Sequence, residues 1–193
     1  MTLNLLSQII SDLKQPISYL PYGIITGTIY LLVIRIIKLL QKESLKAKKH
    51  DLVIAGFFVY MTVLWILAFF SREAGSRVGI DIEIFSVLGA STTETASYIE
   101  NILLFIPISI LFAMSYDLLK KPLYNIGLCF SFSVFLELMQ LITSRGYCQI
   151  DDVIANTLGA VLGLVTYKLL NLTFNRESSV YIVKPLDSYG KLI

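Results

Sequence analysis

Polar and charged residues interrupt the apolar sequence at positions 133–163. The ionisable and amide members that the argument uses are Glu137, Gln140, Arg145, Asp151, Asp152 and Asn156. A glutamate and a glutamine inside a segment fit for hydrocarbon are costly, so Glu137 and Gln140 need partners or a water-filled cavity. In a cleft of low dielectric a glutamate can serve as a general acid or base. Glu137 is therefore the candidate catalytic residue.

The arginines near these residues suit an anionic ligand. Arg72, Arg77 and Arg145 each carry a planar guanidinium, which binds phosphate or carboxylate as a fork. Asp151 and Asp152 can hold a hard cation, yet paired aspartates at a helix start are also ordinary caps favoured by the helix dipole. We expect neither a metal nor a cofactor.

The sequence contains no motif that specifies a reaction. It has no nucleophile elbow and no phosphate-binding glycine loop, and its one histidine, His50, stands among lysines. The net charge of +2 is too small to indicate a nucleic-acid partner, so none is expected. Whether the protein is an enzyme stays open on these residues.

The composition indicates a membrane protein. Of the 193 residues 55% are hydrophobic and 16% are charged, and the mean hydropathy is +0.72. Five apolar runs are long enough to cross a hydrocarbon core of about 30 Å, which takes roughly 20 helical residues. They cover approximately residues 19–40, 52–70, 99–119, 123–143 and 153–174. The predicted fold is an all-α bundle of about five transmembrane helices.

Basic residues predict the orientation of this bundle. The densest basic cluster begins at Arg35 and Lys38, Lys120 and Lys121 separate the third run from the fourth, and Lys168 lies near the end of the fifth. Short loops rich in lysine and arginine stay on the cytoplasmic side. We therefore expect the N-terminus outside, the C-terminus in the cytoplasm, and the connections at 71–98 and 144–152 outside.

Helical spacing collects polar residues from four runs at one external level. One face of the fourth run carries Ser133, Glu137, Gln140 and Ser144, and one face of the fifth carries Asp152, Asn156, Gly159 and Gly163. A short connection makes these two helices antiparallel neighbours, and the end of the second run and the start of the third fall at the same level. The predicted ligand-binding pocket comprises Arg72, Glu73, Arg77, Asn101, Glu137, Gln140, Arg145, Asp151, Asp152 and Asn156.

Small residues spaced four apart predict close helix packing. Ala155, Gly159 and Gly163 form such a stripe on the fifth run, and Gly23 and Gly27 form another on the first. For the first run, packing within the chain is favoured over dimerisation. The remaining segments complete three regions: an interfacial amphipathic helix at 1–18, a transmembrane domain at 19–174 and a cytoplasmic tail at 175–193.

Several of these segments together resemble the VanZ-like family, named for an accessory protein of glycopeptide-antibiotic resistance. The matching pieces are S-R-E-A-G-S-R at 71–77, E-N-I-L-L-F-I-P at 100–107, F-L-E-L-M-Q at 135–140, Arg145, and D-D-V-I-A-N-T-L-G-A at 151–160. The family pattern carries over to Arg72, Asn101, Pro107, Glu137, Gln140, Arg145, Asp151, Asp152, Asn156 and Gly159. One departure is Ser109, which stands where many members have a glycine.

The resemblance implies a multi-pass protein of the bacterial cytoplasmic membrane. In the member that names the family, the implied role is reduced susceptibility to lipoglycopeptides such as teicoplanin. Combined with the external polar cluster, this favours a pocket that binds or masks an anionic cell-envelope component. The expected partners are a membrane lipid, a lipid-linked wall precursor or the glycopeptide itself.

Other readings of the cluster stay open. Its charged groups can satisfy one another as a buried network that only fixes the bundle. A membrane-embedded enzyme can use Glu137 with Asp151 and Asp152 for acid-base or metal-assisted chemistry on an envelope lipid. A transporter is disfavoured, because the cytoplasmic halves of the runs carry few polar residues that would continue a path.

Overall fold

The fold is a set of seven α-helices, seen in a computed structural model that describes residues 2–46, 48–75 and 79–180. The helices are α1 (Thr2–Asp12), α2 (Lys14–Ser18), α3 (Leu20–Leu40), α4 (Lys49–Trp65), α5 (Thr92–Ser115), α6 (Pro122–Ile142) and α7 (Ile150–Val180). A π-helical turn at Ile66–Phe70 extends α4, and a 3₁₀ turn at Asp117–Lys120 precedes α6. Two short parallel strands, β1 (Ile80–Asp81) and β2 (Cys148–Gln149), pair Ile80 with Cys148.

Five of these helices are long and apolar enough to cross a membrane. They cover Leu20–Leu40, Lys49–Phe70, Thr92–Ser115, Pro122–Ile142 and Ile150–Thr173. The predicted all-α fold with about five membrane-crossing helices is confirmed. We refer to the two ends of the bundle as the Lys38 end and the Asp152 end. That the Asp152 end faces outward stays a prediction from the basic loops.

Helix ends differ from the limits of the apolar runs where capping residues decide them. α5 begins at Thr92, seven residues before the predicted start at 99, because the Ser91 hydroxyl accepts a hydrogen bond from Glu94 N at 3.1 Å. It ends at Ser115 rather than 119, because the chain turns there before Pro122 opens α6. The hydropathy pattern locates an apolar run but does not show where a capping residue begins or ends the helix. The chain beyond residue 180 lies outside the described residues.

α3 and α4 form a tightly packed hairpin. A Cβ on Gly23 would lie 2.6 Å from the carbonyl oxygen of Val59, and one on Gly27 would lie 2.6 Å from the Val59 side chain. The predicted packing of this glycine pair within the chain is confirmed. At the Lys38 end, the buried Lys38 ammonium lies 2.5 Å from the buried Asp51 carboxylate and joins the two helices.

α7 lies directly on the backbone of α5. A Cβ on Gly159 would overlap the carbonyl oxygen of Ile102, and one on Gly163 would overlap that of Ile106. The predicted small-residue stripe therefore packs against α5. Asn156, near the same face of α7, instead reaches α6, where its amide donates to the Ser133 hydroxyl at 2.8 Å.

A second buried polar contact joins α5, α6 and α7 near the middle of the bundle. Ser109 Oγ lies 2.7 Å from both Asn125 Oδ1 and the carbonyl oxygen of Ala160, and all three residues are fully buried. The Asn125 amide donates to the carbonyl oxygens of Ser109 and Leu119. Ser109 thus carries a hydroxyl that links three helices.

Pro107 lies inside α5 and removes one helical hydrogen bond. In the turn that Pro107 opens, the Tyr60 hydroxyl of α4 donates to the carbonyl oxygen of Leu104 at 2.6 Å. The carbonyl that Pro107 leaves without its helical donor is that of Leu103, so the Tyr60 hydroxyl braces the next carbonyl in the same turn.

The contact between α7 and α5 predicts that a methyl group added at Gly159 destabilises the protein, whereas one added at Gly127 does not. Gly159→Ala should lower the free energy of unfolding by about 1–3 kcal/mol, because the Cβ is forced against a backbone carbonyl that has little freedom to move. Gly127→Ala is the matched control, since nothing lies within 4 Å of a Cβ at that position of α6. Thermal unfolding of the purified variants in detergent measures the difference. Equal stability of the two variants would contradict the packing described.

Candidate functional site

A cleft of about 980 Å³ lies between α4 and α5, with α1, α2 and the start of α3 along one side. Its polar lining is concentrated at the Asp152 end and includes Asp12, Arg72, Glu73, Glu100, Asn101 and Asp152. Towards the Lys38 end its walls are apolar, and they include Val59, Val63, Leu104, Pro107 and Leu111. The cleft is therefore amphipathic along the direction of the helices.

A smaller chamber of about 60 Å³ adjoins the polar end of the cleft. Its polar walls are Arg72, Asn101, Glu137, Gln140, Asp152 and Asn156. Arg72, Asn101 and Asp152 line both cavities, so the chamber and the cleft meet at these three side chains. With roughly 30 Å³ per water molecule, the chamber has room for about two waters.

Glu137 lies in the wall of the chamber and is 3% exposed. Its Oε2 accepts a hydrogen bond from Gln149 N at 3.0 Å. Gln149 belongs to β2, and Cys148 N donates to Gly79 O at 3.0 Å, so the paired strands hold that backbone donor in place. The carboxylate therefore faces a fixed donor on one side and the polar chamber on the other.

Arg72, Asn101 and Asp152 form the boundary between the two cavities. The Asn101 amide lies beside the Asp152 carboxyl, and the Arg72 guanidinium interacts electrostatically with both Asp152 and Glu137. Asp152 sits in the first turn of α7, where the helix dipole favours a negative charge. One cation and two carboxyl groups thus meet at the point where a ligand in the cleft would touch the chamber.

Two buried oxygens in the cavities have no hydrogen-bond partner among the described residues. Asn156 Oδ1 borders the chamber, and its residue is 4% exposed. Glu100 Oε1 borders the cleft, where the Asp12 carboxyl of α1 lies beside the Glu100 carboxyl. Buried acceptors of this kind gain from a ligand or a water that donates to them.

Arg145 binds the backbone next to the two cavities. Its guanidinium donates to the carbonyl oxygen of Phe69 and, at 3.1 Å, to that of Arg72. These bonds satisfy backbone groups at the end of α4 and hold the turn from which the Arg72 side chain extends. Arg145 lines neither cavity, so its contacts position Arg72.

Asp151 also contacts backbone rather than the cavities. It is 1% exposed, and its two oxygens accept hydrogen bonds from Phe85 N at 2.6 Å and Val87 N at 3.2 Å. The same loop is braced by Asp81, whose carboxylate accepts from Glu83 N and the Ser86 hydroxyl. These bonds hold the pKa of Asp81 below its usual value. Adjacent aspartates in sequence thus have different surroundings.

The structure brings most of the predicted site residues together. Six of them line the chamber, Glu73 lines the cleft, Arg145 and Asp151 hold backbone nearby, and Arg77 lies outside the described residues. Sequence reasoning missed several polar residues that line the cleft, among them Asp12, Glu100, Tyr147 and Gln149. Glu100 could have been identified from the sequence, because it adjoins the predicted site residue Asn101 at the start of an apolar run. Asp12 could not have been identified in this way, since only the fold places α1 against α5.

The described residues hold no group of three or more histidine, cysteine, aspartate or glutamate side chains placed to bind a metal ion. The divergence of Asp151 from Asp152 explains this in part, because a shared cation would need both carboxylates to face one point.

The role of Asp151 as a backbone acceptor predicts a local change in the loop that precedes α5. Asp151→Asn replaces one accepting oxygen by an amide donor, which would face the N–H of Phe85 or Val87. The loop should open more readily by about 1–3 kcal/mol, the cost of leaving a buried donor unpaired. Hydrogen–deuterium exchange of the peptide at 84–88 measures this. Asp152→Asn is the control and should leave that peptide unchanged; equal effects would contradict the assignment.

These features define a multi-pass α-helical membrane protein with an amphipathic cleft whose polar part lies at one end of its bundle. The family model described as VanZ/LLP1 matches residues 57–171, from within α4 to within α7. The match covers more than half of the chain, and the chain belongs to the VanZ/LLP1 family. The resemblance drawn from the sequence motifs is thereby confirmed. Searches of curated proteins and of solved structures returned no match.

Proposed function

We propose that this protein lies in the bacterial cytoplasmic membrane, with its Asp152 end outward, and binds a lipid-linked precursor of the cell envelope in the cleft. The observation that carries the proposal is the change of lining along the cleft, from charged and amide groups at one end to apolar side chains at the other. A lipid has the same division into head group and chain. The positive-inside rule supports the orientation.

The charges in the cleft favour a particular kind of head group. Among the described residues that line it, Arg72 is the one basic side chain, and it can hold a phosphate as a fork. The carboxyl groups of Asp12, Glu73, Glu100 and Asp152 are acceptors for hydroxyl and amine groups. A head group with a phosphate and several donors, such as a phosphate-linked sugar, suits this lining better than a simple acidic phospholipid does.

Binding such a precursor would limit its exposure at the membrane surface. A glycopeptide that recognises the precursor there would then find less of its target. Membership of the VanZ/LLP1 family supports a contribution to teicoplanin resistance by this route. The glycopeptide itself is the rival occupant of the same cleft.

Replacing Arg72 tests this proposal. Arg72→Gln should weaken precursor binding by about tenfold or more, because it removes charge-assisted hydrogen bonds to phosphate. The expected result in cells is loss of most of the teicoplanin resistance that the wild-type protein confers, at equal protein abundance. Arg35→Gln is the matched control, since it removes an exposed guanidinium towards the Lys38 end of α3.

Binding of purified wild-type protein to the radiolabelled precursor and, separately, to teicoplanin decides between the two occupants. Binding of teicoplanin without binding of the precursor would overturn the masking proposal. Unchanged resistance in Arg72→Gln at equal abundance would remove Arg72 from the site. Arg145→Ala is less suitable here, because Arg145 holds the backbone of Phe69 and Arg72.

One observation favours a second candidate, a membrane-embedded hydrolase. Glu137 borders a chamber with room for about two waters, and that chamber meets the cleft at Arg72, Asn101 and Asp152. In this candidate Asp152, which the helix dipole and Arg72 keep charged, takes a proton from water, the water oxygen attacks the phosphorus of the head group, and the leaving oxygen departs with a proton from Glu137. Asp151 has no part in it, since its oxygens accept backbone hydrogen bonds.

Turnover of the precursor by purified protein separates the two candidates. For the hydrolase, wild-type protein releases the head group, and Glu137→Gln lowers the rate by about a hundredfold or more without weakening binding. For the binding protein, neither form produces product. The hydrolase is abandoned if the wild type binds the precursor and leaves it intact.

A further inference from the structure

The loop at 79–90, which begins with β1 and leads into α5, exposes several large apolar side chains. They belong to Ile80, Ile82, Ile84, Phe85 and Leu88. Their exposed fractions run from 44% at Leu88 to 75% at Ile82. A group of exposed apolar side chains of this size marks a surface that contacts a partner or a membrane.

One buried residue of this loop shows how deep the loop lies. Val87 is buried and packs against Tyr98 of α5 and Ala155 of α7. The apolar runs of these two helices begin at about residues 99 and 153. Val87 therefore lies where α5 and α7 enter the hydrocarbon of the membrane, and the residues next to it in the loop lie close to the same boundary.

The loop is fixed against α7 by hydrogen bonds. Asp151 accepts from the backbone N–H groups of Phe85 and Val87. Phe85 has a φ of 63°, a left-handed conformation that bulky residues rarely adopt. Strained backbone of this kind persists where the surrounding structure holds it, and the bond to Asp151 supplies that support. The fold thus keeps a half-exposed aromatic ring in a fixed position.

The charges of the loop favour hydrocarbon over anionic head groups as its partner. The sequence at 79–90 contains no lysine or arginine, and its two carboxylates belong to Asp81 and Glu83. The Asp81 carboxylate is occupied within the loop, where it accepts from Glu83 N and the Ser86 hydroxyl. An interfacial segment without basic residues binds a membrane through its apolar side chains.

We infer that the loop at 79–90 inserts its exposed apolar side chains into the membrane interface at the Asp152 end. The partner is the bilayer itself, at the boundary between head groups and acyl chains, because the loop packs on α5 and α7, which both cross the membrane. Asp151 joins the inserted loop to α7, and the next residue, Asp152, borders both cavities. The insertion therefore places the polar end of the cleft at the level of the head groups, whichever ligand the cleft binds.

Fluorescence quenching tests the insertion. The chain has a single tryptophan, Trp65, so Trp65→Phe gives a background in which one new tryptophan reports its own surroundings. Ile84→Trp places the reporter in the loop. Thr93→Trp is the control, since Thr93 is exposed and lies about 8 Å before Tyr98 along α5. In vesicles of phosphatidylcholine with brominated acyl chains, emission of Ile84→Trp should fall about twofold or more, and that of Thr93→Trp should hardly change. Quenching by aqueous iodide should show the opposite order.

Three other outcomes would overturn the inference. Iodide quenching of Ile84→Trp as strong as that of Thr93→Trp would place the loop in water. Equal quenching of both variants by the brominated lipid would place the membrane surface beyond the start of α5. Protection of Ile84→Trp from both quenchers, with the protein eluting as a dimer, would assign the apolar surface to a second copy of the chain.

A measurement on the wild-type protein covers the case in which the variants fail to fold. Wild-type protein in vesicles is irradiated with a phosphatidylcholine that carries a photoreactive group on its acyl chain near the head group. Labelling of the peptide at 80–88 is expected, and the exposed apolar face of α3 is the positive control. Labelling of α3 without labelling of the peptide at 80–88 would contradict the insertion.

Discussion

The backbone contact between α5 and α7 is the constraint on which the site depends. Because Gly159 lies against the Ile102 carbonyl, the two helices come closer than side chains would allow. That approach places Asp152 beside Asn101 at one end. Near the middle of the same helices, Ser109 meets the backbone of Ala160. The chamber and its polar walls follow from this one contact.

The close packing of α3 on α4 and of α5 on α7 also explains why a cleft remains between α4 and α5. α4 is held against α3 by glycines, and α5 is held against α7 by glycines, so the two pairs commit their closest faces to other partners. Between α4 and α5 the side chains are larger and the helices leave a groove. The hydrogen bond from Tyr60 of α4 to the Leu104 carbonyl of α5 joins the two helices beside this groove, in the turn before Pro107. An amphipathic binding space thus arises from where the small residues lie.

The charged residues at the Asp152 end divide into two roles. Arg145 and Asp151 direct their polar atoms to backbone, and they fix the end of α4 and the loop at 79–90. Arg72, Asp152 and Glu137 border the cavities and keep surface for a ligand or water. In a low dielectric, groups of the first kind hold those of the second in place, since an unpaired backbone donor or acceptor is costly there. The division is what separates a buried network from a site, although both use the same residue types.

The sequence alone determined the membrane class, the number of spanning helices, the family and the polar residues that border the chamber. It could do so because hydrophobic runs, helical spacing and intramembrane charge are local signals that survive in one dimension. Only the tertiary structure decided which of two adjacent aspartates faces the cavity and that Arg145 supports Arg72. It also brought Asp12 to the cleft and left an amphipathic groove between α4 and α5. These depend on how far apart helices pack, a distance that side chains from several segments set together.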